Sequence, residues 1–435
     1  MESILNPPGA RAAQSTEDRL YRRVAWRLVP FLALCYVVGY LDRVNVGFAK
    51  LQMLQDLQFS ETVYGLGASI FFVGYLLFEI PSNMILHRVG ARRWIGIIMV
   101  TWGLLSAAMI FATTPTLFYL LRFLLGVAEA GFFPGVVLYL TYWFPNARRG
   151  RITGVFMTAI PLAGAVGGPV SGWIMLALNG EHGMAGWQWL FLLEGLPGVF
   201  LGILVFFWLD DRVSDAKWLS GGERVIIARN IEAEAMGKAN PPLLQAFIMP
   251  RVWAMAGIYL SLMMGLYGVS FWLPTLIRNT GVQDTLHVGL LSAVPNVFAI
   301  VAMVVVSRSS DRRAERRWHL AVPALLGAIG MVAAALGDGD TWIAIAALTV
   351  ANVGICAALP LFWSMPTALL GGAAAAAGIA LVNSISCLGG VVSPFLIGRL
   401  KDITGSTDSG LYMMAVCMCV AALLALAQPA KLVNR

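Results

Sequence analysis

Charge is what this sequence lacks most. Only 12% of its 435 residues are Asp, Glu, Lys or Arg, while 59% are hydrophobic. A soluble domain carries about twice that share of charge, so a chain of this size has too little polar surface to face water all round. Cysteine is scarce as well. Cys35, Cys356, Cys387, Cys417 and Cys419 all lie inside apolar runs without metal-ligand spacing, which argues against a disulfide framework or a metal site. The sequence contains no phosphate-binding loop, no metal-binding helix pattern, no nucleophile elbow and no N-glycosylation acceptor. It is therefore not expected to be an enzyme, and no cofactor is expected. The first 23 residues are polar and lack an apolar core ahead of a cleavage site, unlike a signal peptide.

What the sequence does have is long apolar runs. A helix needs about 20 mostly apolar residues to cross the hydrocarbon core. Such runs occupy 24–48, 62–86, 94–112, 116–142, 152–176, 187–209, 251–277, 286–306, 319–337, 341–365, 378–398 and 409–428. The expected fold class is an all-α membrane protein with twelve transmembrane helices. The charged, partly amphipathic stretch 210–250 divides the chain into six-helix bundles over 24–209 and 251–428, flanked by tails 1–23 and 429–435. Loops on one side hold twenty-three Lys and Arg residues. Those on the other hold four, Lys50, Arg278, Arg399 and Lys401. Basic loops stay in the cytoplasm, so both tails and the 210–250 loop are expected there, in a bacterial inner membrane. The loop near 366–377 carries no base. Trp26, Trp94, Trp187, Trp189, Trp208, Trp253, Trp318 and Trp342 fall at span ends, where interfacial anchors belong.

The two halves echo each other. His87-Arg88-Val89-Gly90-Ala91-Arg92-Arg93 follows span two, and Asp311-Arg312-Arg313-Ala314-Glu315-Arg316-Arg317 follows span eight, 224 residues later. Tyr142-Trp143-Phe144-Pro145 and Phe362-Trp363-Ser364-Met365-Pro366 close spans four and ten. Two six-helix repeats with matching basic loops describe a carrier that rocks about a site at the midplane.

Three bases, Arg27, Arg43 and Arg122, and four acids, Asp42, Glu79, Glu129 and Glu194, fall within the spans of the first half. None lies deep inside spans seven to twelve. A charge at depth costs about 2.5–3.5 kcal/mol or more, so it persists only with a partner or a wet cavity. Arg27 is expected to snorkel as an anchor. Arg122 and Glu129 lie two turns apart on one face of span four, about 10 Å from each other, with room between them. Gly126, Gly131 and Gly135 allow close helix approach there. Tyr36, Tyr40 and Arg43 share a face of span one, and Asp42 points about 100° away from Arg43. Arg43 and Arg122 are expected to hold a carboxylate, for which guanidinium is the matching fork. Asp42 and Glu129 are expected to carry protons. Glu79 and Glu194 sit near helix breakers and are expected to be caps or locks between the halves. Asp311 with Arg312 is expected to close the inner gate. In the second half, Trp363 and Asn383 are pocket candidates, with Trp272 behind them.

The paired basic loops resemble the signature of the major facilitator superfamily. More specifically, YLDRVNVGFAKLQM, FFVGYLLFEIPSNMIL, LLRFLLGVAEAGFFPGVVLYLTYWFP and GWQWLFLLEGLPG resemble the anion:cation symporter family, in its bacterial tartrate and phthalate branch. The likeness covers all twelve spans. It implies proton-coupled uptake of a small organic anion by a monomer, with the proton as coupling ion. Tartrate-, phthalate-, hydroxybenzoate- and nicotinate-like acids all fit. It places the substrate arginine on Arg43, a second basic site on Arg122, proton carboxylates on Asp42 and Glu129, and cavity positions on Tyr40, Tyr75 and Asn383. One departure stands out. Where the superfamily loop has an aspartate before its arginine and a glycine four residues earlier, this chain has His87 before Arg88, and Asn83. The gate expected at Arg88 is thus altered, or carried by Asp311 and Arg312. An exporter or exchanger of the same fold is a second reading, and a membrane sensor of organic acids a third.

Overall fold

The computed structural model describes residues 8–145, 148, 152, 156–235, 249–337, 339–369 and 374–434. Among the described residues, twelve helices are long and apolar enough to cross a membrane, and each expected run corresponds to one of them. Spans one to six are Thr16–Leu57, Glu61–Val89, Ala91–Phe111, Pro115–Thr141, Ala159–Ala177 and Gly186–Trp208. Spans seven to twelve are Pro250–Arg278, Thr285–Arg313, Arg317–Ala335, Thr341–Met365, Leu381–Thr404 and Asp408–Leu426. The described residues contain no strand. Arg149, Arg151, Lys238 and positions 370–373 of the baseless loop lie outside the described residues.

The helix starts follow capping chemistry. Ser60 accepts the Val63 N–H at 3.1 Å ahead of span two. Thr114 accepts the Leu117 N–H at 3.3 Å ahead of Pro115, which opens span four. Asp284 accepts the Leu286 N–H at 2.7 Å at the head of span eight. Each side chain satisfies a backbone donor that a helix start leaves unpaired. Gly90, at φ +98, turns the chain between spans two and three beside the Asp211 carboxylate. That carboxylate accepts the Arg92 N–H at 2.9 Å, which ties this basic loop to the end of span six.

The structure corrects the expected boundaries in three places. Span one continues to Leu57, so Lys50 is buried in a helix rather than placed in a loop. Span four breaks after Glu129 and resumes at Phe132. Spans eight and eleven run on to Arg313 and Thr404, which takes Arg399 and Lys401 into helix. The 210–250 stretch contains a helix, Gly221–Ala235. It docks on the first half, with Asn230 donating to Glu17 at 2.9 Å and Arg23 to the Trp218 carbonyl at 2.6 Å. Trp187 is buried and donates to Asp56 at 2.9 Å, so it packs rather than anchors.

The halves meet with span five against span eight and span two against span eleven. The contact of spans five and eight needs glycine. A Cβ on Gly168 would stand 2.5 Å from the Gly289 carbonyl oxygen. Backbones this close hold helices together by dispersion, which lipid cannot replace.

Candidate functional site

A cavity of about 680 Å³ lies between the halves. Tyr36, Tyr40, Arg43 and Tyr75 line it from the first half, and Tyr259, Tyr267 and Asn383 from the second. Arg43 is the sole charged side chain among its lining residues, and five of the chain's eleven tyrosines surround it. The shared face of Tyr36, Tyr40 and Arg43 is therefore realised.

Arg43 is held by Glu129. Its Nε donates to Glu129 Oε1 at 3.0 Å, and its Nη2 forms an ion pair with the same oxygen. Both side chains are almost fully buried. This replaces the expected arrangement, in which Glu129 and Arg122 face each other across a gap. The helix break at Ala130–Gly131 places Glu129 at a helix end, directed to span one. The Arg43 guanidinium also lies 5.4 Å from the centres of the Tyr75 and Phe71 rings, where the ring faces attract a cation.

Arg122 is absent from the cavity wall. It is fully buried behind Phe71, 5.0 Å from the ring centre. Its Nε donates to the Gly67 carbonyl at 3.3 Å, while Nη1 and Nη2 have no partner. Phe71 thus separates two guanidinium groups, one at the cavity and one a layer behind. Asp42 also points away from the cavity, as expected from its angle to Arg43. Ser106 and Asn45 donate to its Oδ1, the latter at 3.3 Å. Trp363 is a further correction. It packs on Tyr259 at 5.0 Å between ring centres, and Tyr259 is the residue that faces the cavity.

Glu79 accepts from Asn383 Nδ2 at 2.8 Å, so Asn383 both lines the cavity and bonds the other half on the side of the termini. Glu194 is no lock between halves. It sits mid-helix in span six and accepts from Ser171 Oγ at 2.7 Å within the first half.

At the end opposite the termini the halves are bound closely. Lys50 and Lys401 each reach Glu61 at 2.6 Å. Lys50 lies 3.5 Å over the Trp272 ring. Asp402, at the end of span eleven, accepts the Thr62 N–H at 2.8 Å and caps span two from the other half. Arg278 donates to the Leu51 carbonyl at 2.5 Å and Tyr64 to the Phe271 carbonyl at 2.7 Å. By sequence, Lys50 and Lys401 count as loop charge. The apolar residues Val46, Phe48, Ala49, Leu51, Met53 and Leu54 around it are the available signal that Lys50 sits in a helix.

The inner gate expected at Asp311 and Arg312 is built differently. Asp311 pairs with Arg316 of its own loop at 2.6 Å, and Arg312 is exposed. Arg88 is exposed as well. Partial burial works against the charge of Glu315 in that loop. The Trp318 N–H, His319 and Asn434 nevertheless hold its carboxyl below the usual range. The second basic loop is thus stapled to its own half.

Two helical bundles closed at one end around a central cavity define a membrane carrier of the alternating-access type. The sequence pattern of the Major Facilitator Superfamily matches residues 32–394. The chain belongs to that family. It is 50% identical, over 96% of both chains, to a Pseudomonas putida protein provisionally named metabolite transport protein NicT. It is 50% identical to a provisionally named tartrate transporter of Agrobacterium vitis, over 94% of both chains. A quinolone resistance transporter of Acinetobacter baumannii is 42% identical over 92% of this chain and 93% of its own. The solved D-xylose-proton symporter shares the fold, with a TM-score of 0.73 at 15% identity over 93% of this chain and 98% of that one.

Proposed function

We propose that the protein is a proton-coupled carrier that imports a small organic acid across a bacterial inner membrane. The Arg43–Glu129 pair at the cavity carries this reading. Guanidinium binds carboxylate as a fork, and Glu129 occupies that fork when no substrate does. A proton taken up by Glu129 breaks the ion pair, and a substrate carboxylate then neutralises Arg43. Breaking a buried pair by losing one partner costs about 3–5 kcal/mol. Neither proton nor acid alone therefore leaves a balanced site, and the two travel together. Asp42, buried and bonded by Ser106 and Asn45 without a cation, is a second proton acid. Arg122 balances these acids from behind Phe71 rather than touching substrate.

With the termini in the cytoplasm, as the basic-loop rule supports, the closed end with Lys50, Glu61, Lys401 and Asp402 faces outward. A cysteine at Glu181 then labels from outside and one at Ser214 from inside; labelling from the same side contradicts this orientation. One guanidinium among five phenols suits a hydroxylated or aromatic carboxylate, and the tartrate-named relative supports that class.

The test is proton flux into proteoliposomes under an imposed pH gradient, with tartrate and benzoate-type acids added outside. An acid in this panel should drive proton entry with matching uptake. Acid uptake without proton movement, or no response to any carboxylate, overturns the reading. The relative named for quinolone resistance favours a second reading, export. Substrate leaving right-side-out vesicles against its gradient supports that one instead.

A further inference from the structure

The Arg43–Glu129 mechanism makes no use of Glu194, the most deeply placed acid outside it. Glu194 is 5% exposed, mid-helix in span six, with no cation bonded to it. One carboxyl oxygen accepts from Ser171 Oγ; the other, Oε2, has no hydrogen-bond partner. Asn45 stands beside Glu194 and also bonds Asp42, with its own Oδ1 unpartnered. A buried acceptor left without a donor is costly, and a proton on Glu194 supplies one.

A second cavity, of about 560 Å³, reaches Ser171 and Asn45, the hydrogen-bonding neighbours of Glu194. It lies beyond the Tyr40–Ser270 hydrogen bond of 3.2 Å, on the side away from the termini. Asn45 and Ser171 line it from the first half, and Ser292, Asn296 and Asn352 from the second. No charged residue lines it. Its walls belong to both halves, so it opens when the outer end parts. The polar side chains set in its mainly apolar walls hold water, and Ser171 joins that water to Glu194.

We propose that Glu194 is a further proton-carrying residue, loaded through Ser171 from the outer polar cavity and coupled to Asp42 across Asn45. The Ser171 hydroxyl passes its proton to Glu194 Oε1 and takes another from cavity water, which a proton from the outer solution restores, so hydroxyl and water both end as they began. The proposal deepens the proton-coupled reading and rests on it. The groups packed on Glu194 leave Asp42 as its charged neighbour. Span three packs on span six here through Ser106 against Gly195 and Trp102 against Gly198, and span five brings Ser171 to Glu194 itself. Lys50 and Asp56, further along span one, are held by Glu61 and Trp187. Glu129 and Arg122 act on Asp42 in turn. Coupled acids ionise as a set, so Glu194 and Asp42 exchange protons as a pair rather than singly.

The test needs no substrate. Infrared difference spectra of the reconstituted protein between about pH 5 and about pH 9 report carboxyls that gain a proton. The parent should show a protonated-carboxyl band that Glu194→Gln removes. In Asp42→Asn the Glu194 band should persist with its midpoint displaced, because its coupled partner has gone. If Glu194→Gln does not reconstitute, Glu194→Asp is read instead and should move the band. A spectrum unchanged by both Glu194 variants, or a Glu194 midpoint unmoved in Asp42→Asn, overturns the proposal. A parent that moves no protons with any acid while these bands behave as described sinks the transport reading and leaves Glu194 a titrating site.

Discussion

The two halves share an architecture and differ in what they bury. The first holds Asp42, Arg43, Lys50, Glu79, Arg122, Glu129 and Glu194 below 9% exposure. Among the described residues of the second, none of the charged side chains is buried to that degree. Its inner polar groups are neutral, such as Asn352, Ser386 and Ser393, and its contributions to the cavity include Tyr259 and Tyr267. A pair of repeats needs matching backbones to rock, yet charge in only one of them to couple. Concentrating ions in one bundle lets each serve as another's counter-charge, which lowers the cost of keeping them at depth. The other bundle then supplies a wall that can move over the site without breaking an ion pair within itself.

The comparison can be broken by moving or deleting its charged members. The largest effect is expected at Arg43. Arg43→Lys keeps the charge and loses the fork, and uptake should fall about 100-fold or more. Initial-rate uptake of an acid that the parent carries checks this, and an unaltered apparent affinity would remove Arg43 from the site.

The outer closure comes next. Glu61→Gln leaves Lys50 buried beside Lys401 without its carboxylate. The outer end should part more readily, shifting the balance of states by about tenfold, or ~1.4 kcal/mol. A cysteine at Ser270 then labels faster from outside. Gly168→Leu should act in the same direction by wedging span five from span eight. Unchanged labelling in both variants contradicts the closure.

The smallest effects are expected in the second half. Tyr267→Phe removes one phenol of five and should raise KM by about three- to tenfold. Trp363→Phe, one layer back, should raise it less than that. A larger loss at Trp363 than at Tyr267 would reverse the positions assigned to them.

Much of this is legible in the amino-acid sequence. Twelve apolar runs require twelve spans, and the cost of charge in lipid singles out a short set that holds Asp42, Arg43, Arg122 and Glu129 together with Arg27, Glu79 and Glu194. The partnerships are not legible. Glu129 and Arg43 are 86 residues apart, and Glu61 and Lys401 are 340 apart. Periodicity within one helix speaks only of neighbours three or four residues away. Facing is the other gap. Span ten is apolar nearly all round, and such a helix has no amphipathic phase to tell Trp363 from its neighbours. The break after Glu129 hides in the run AEAGFFPG, where Gly131 and Pro134 read equally well as packing and as interruption. Lys50 is easily misplaced because Gln52, Gln55 and Asp56 make the end of span one look like a loop.

The central claim is that the buried acids of the first half carry the coupled proton. Asp42→Asn and Glu129→Gln, which fix each site in its neutral form, should be compared in proteoliposomes by pH-driven accumulation and by counterflow exchange. The account predicts that exchange persists while accumulation against a gradient disappears. If both variants concentrate substrate as the parent does, neither carboxylate couples transport to the proton, and the account is wrong.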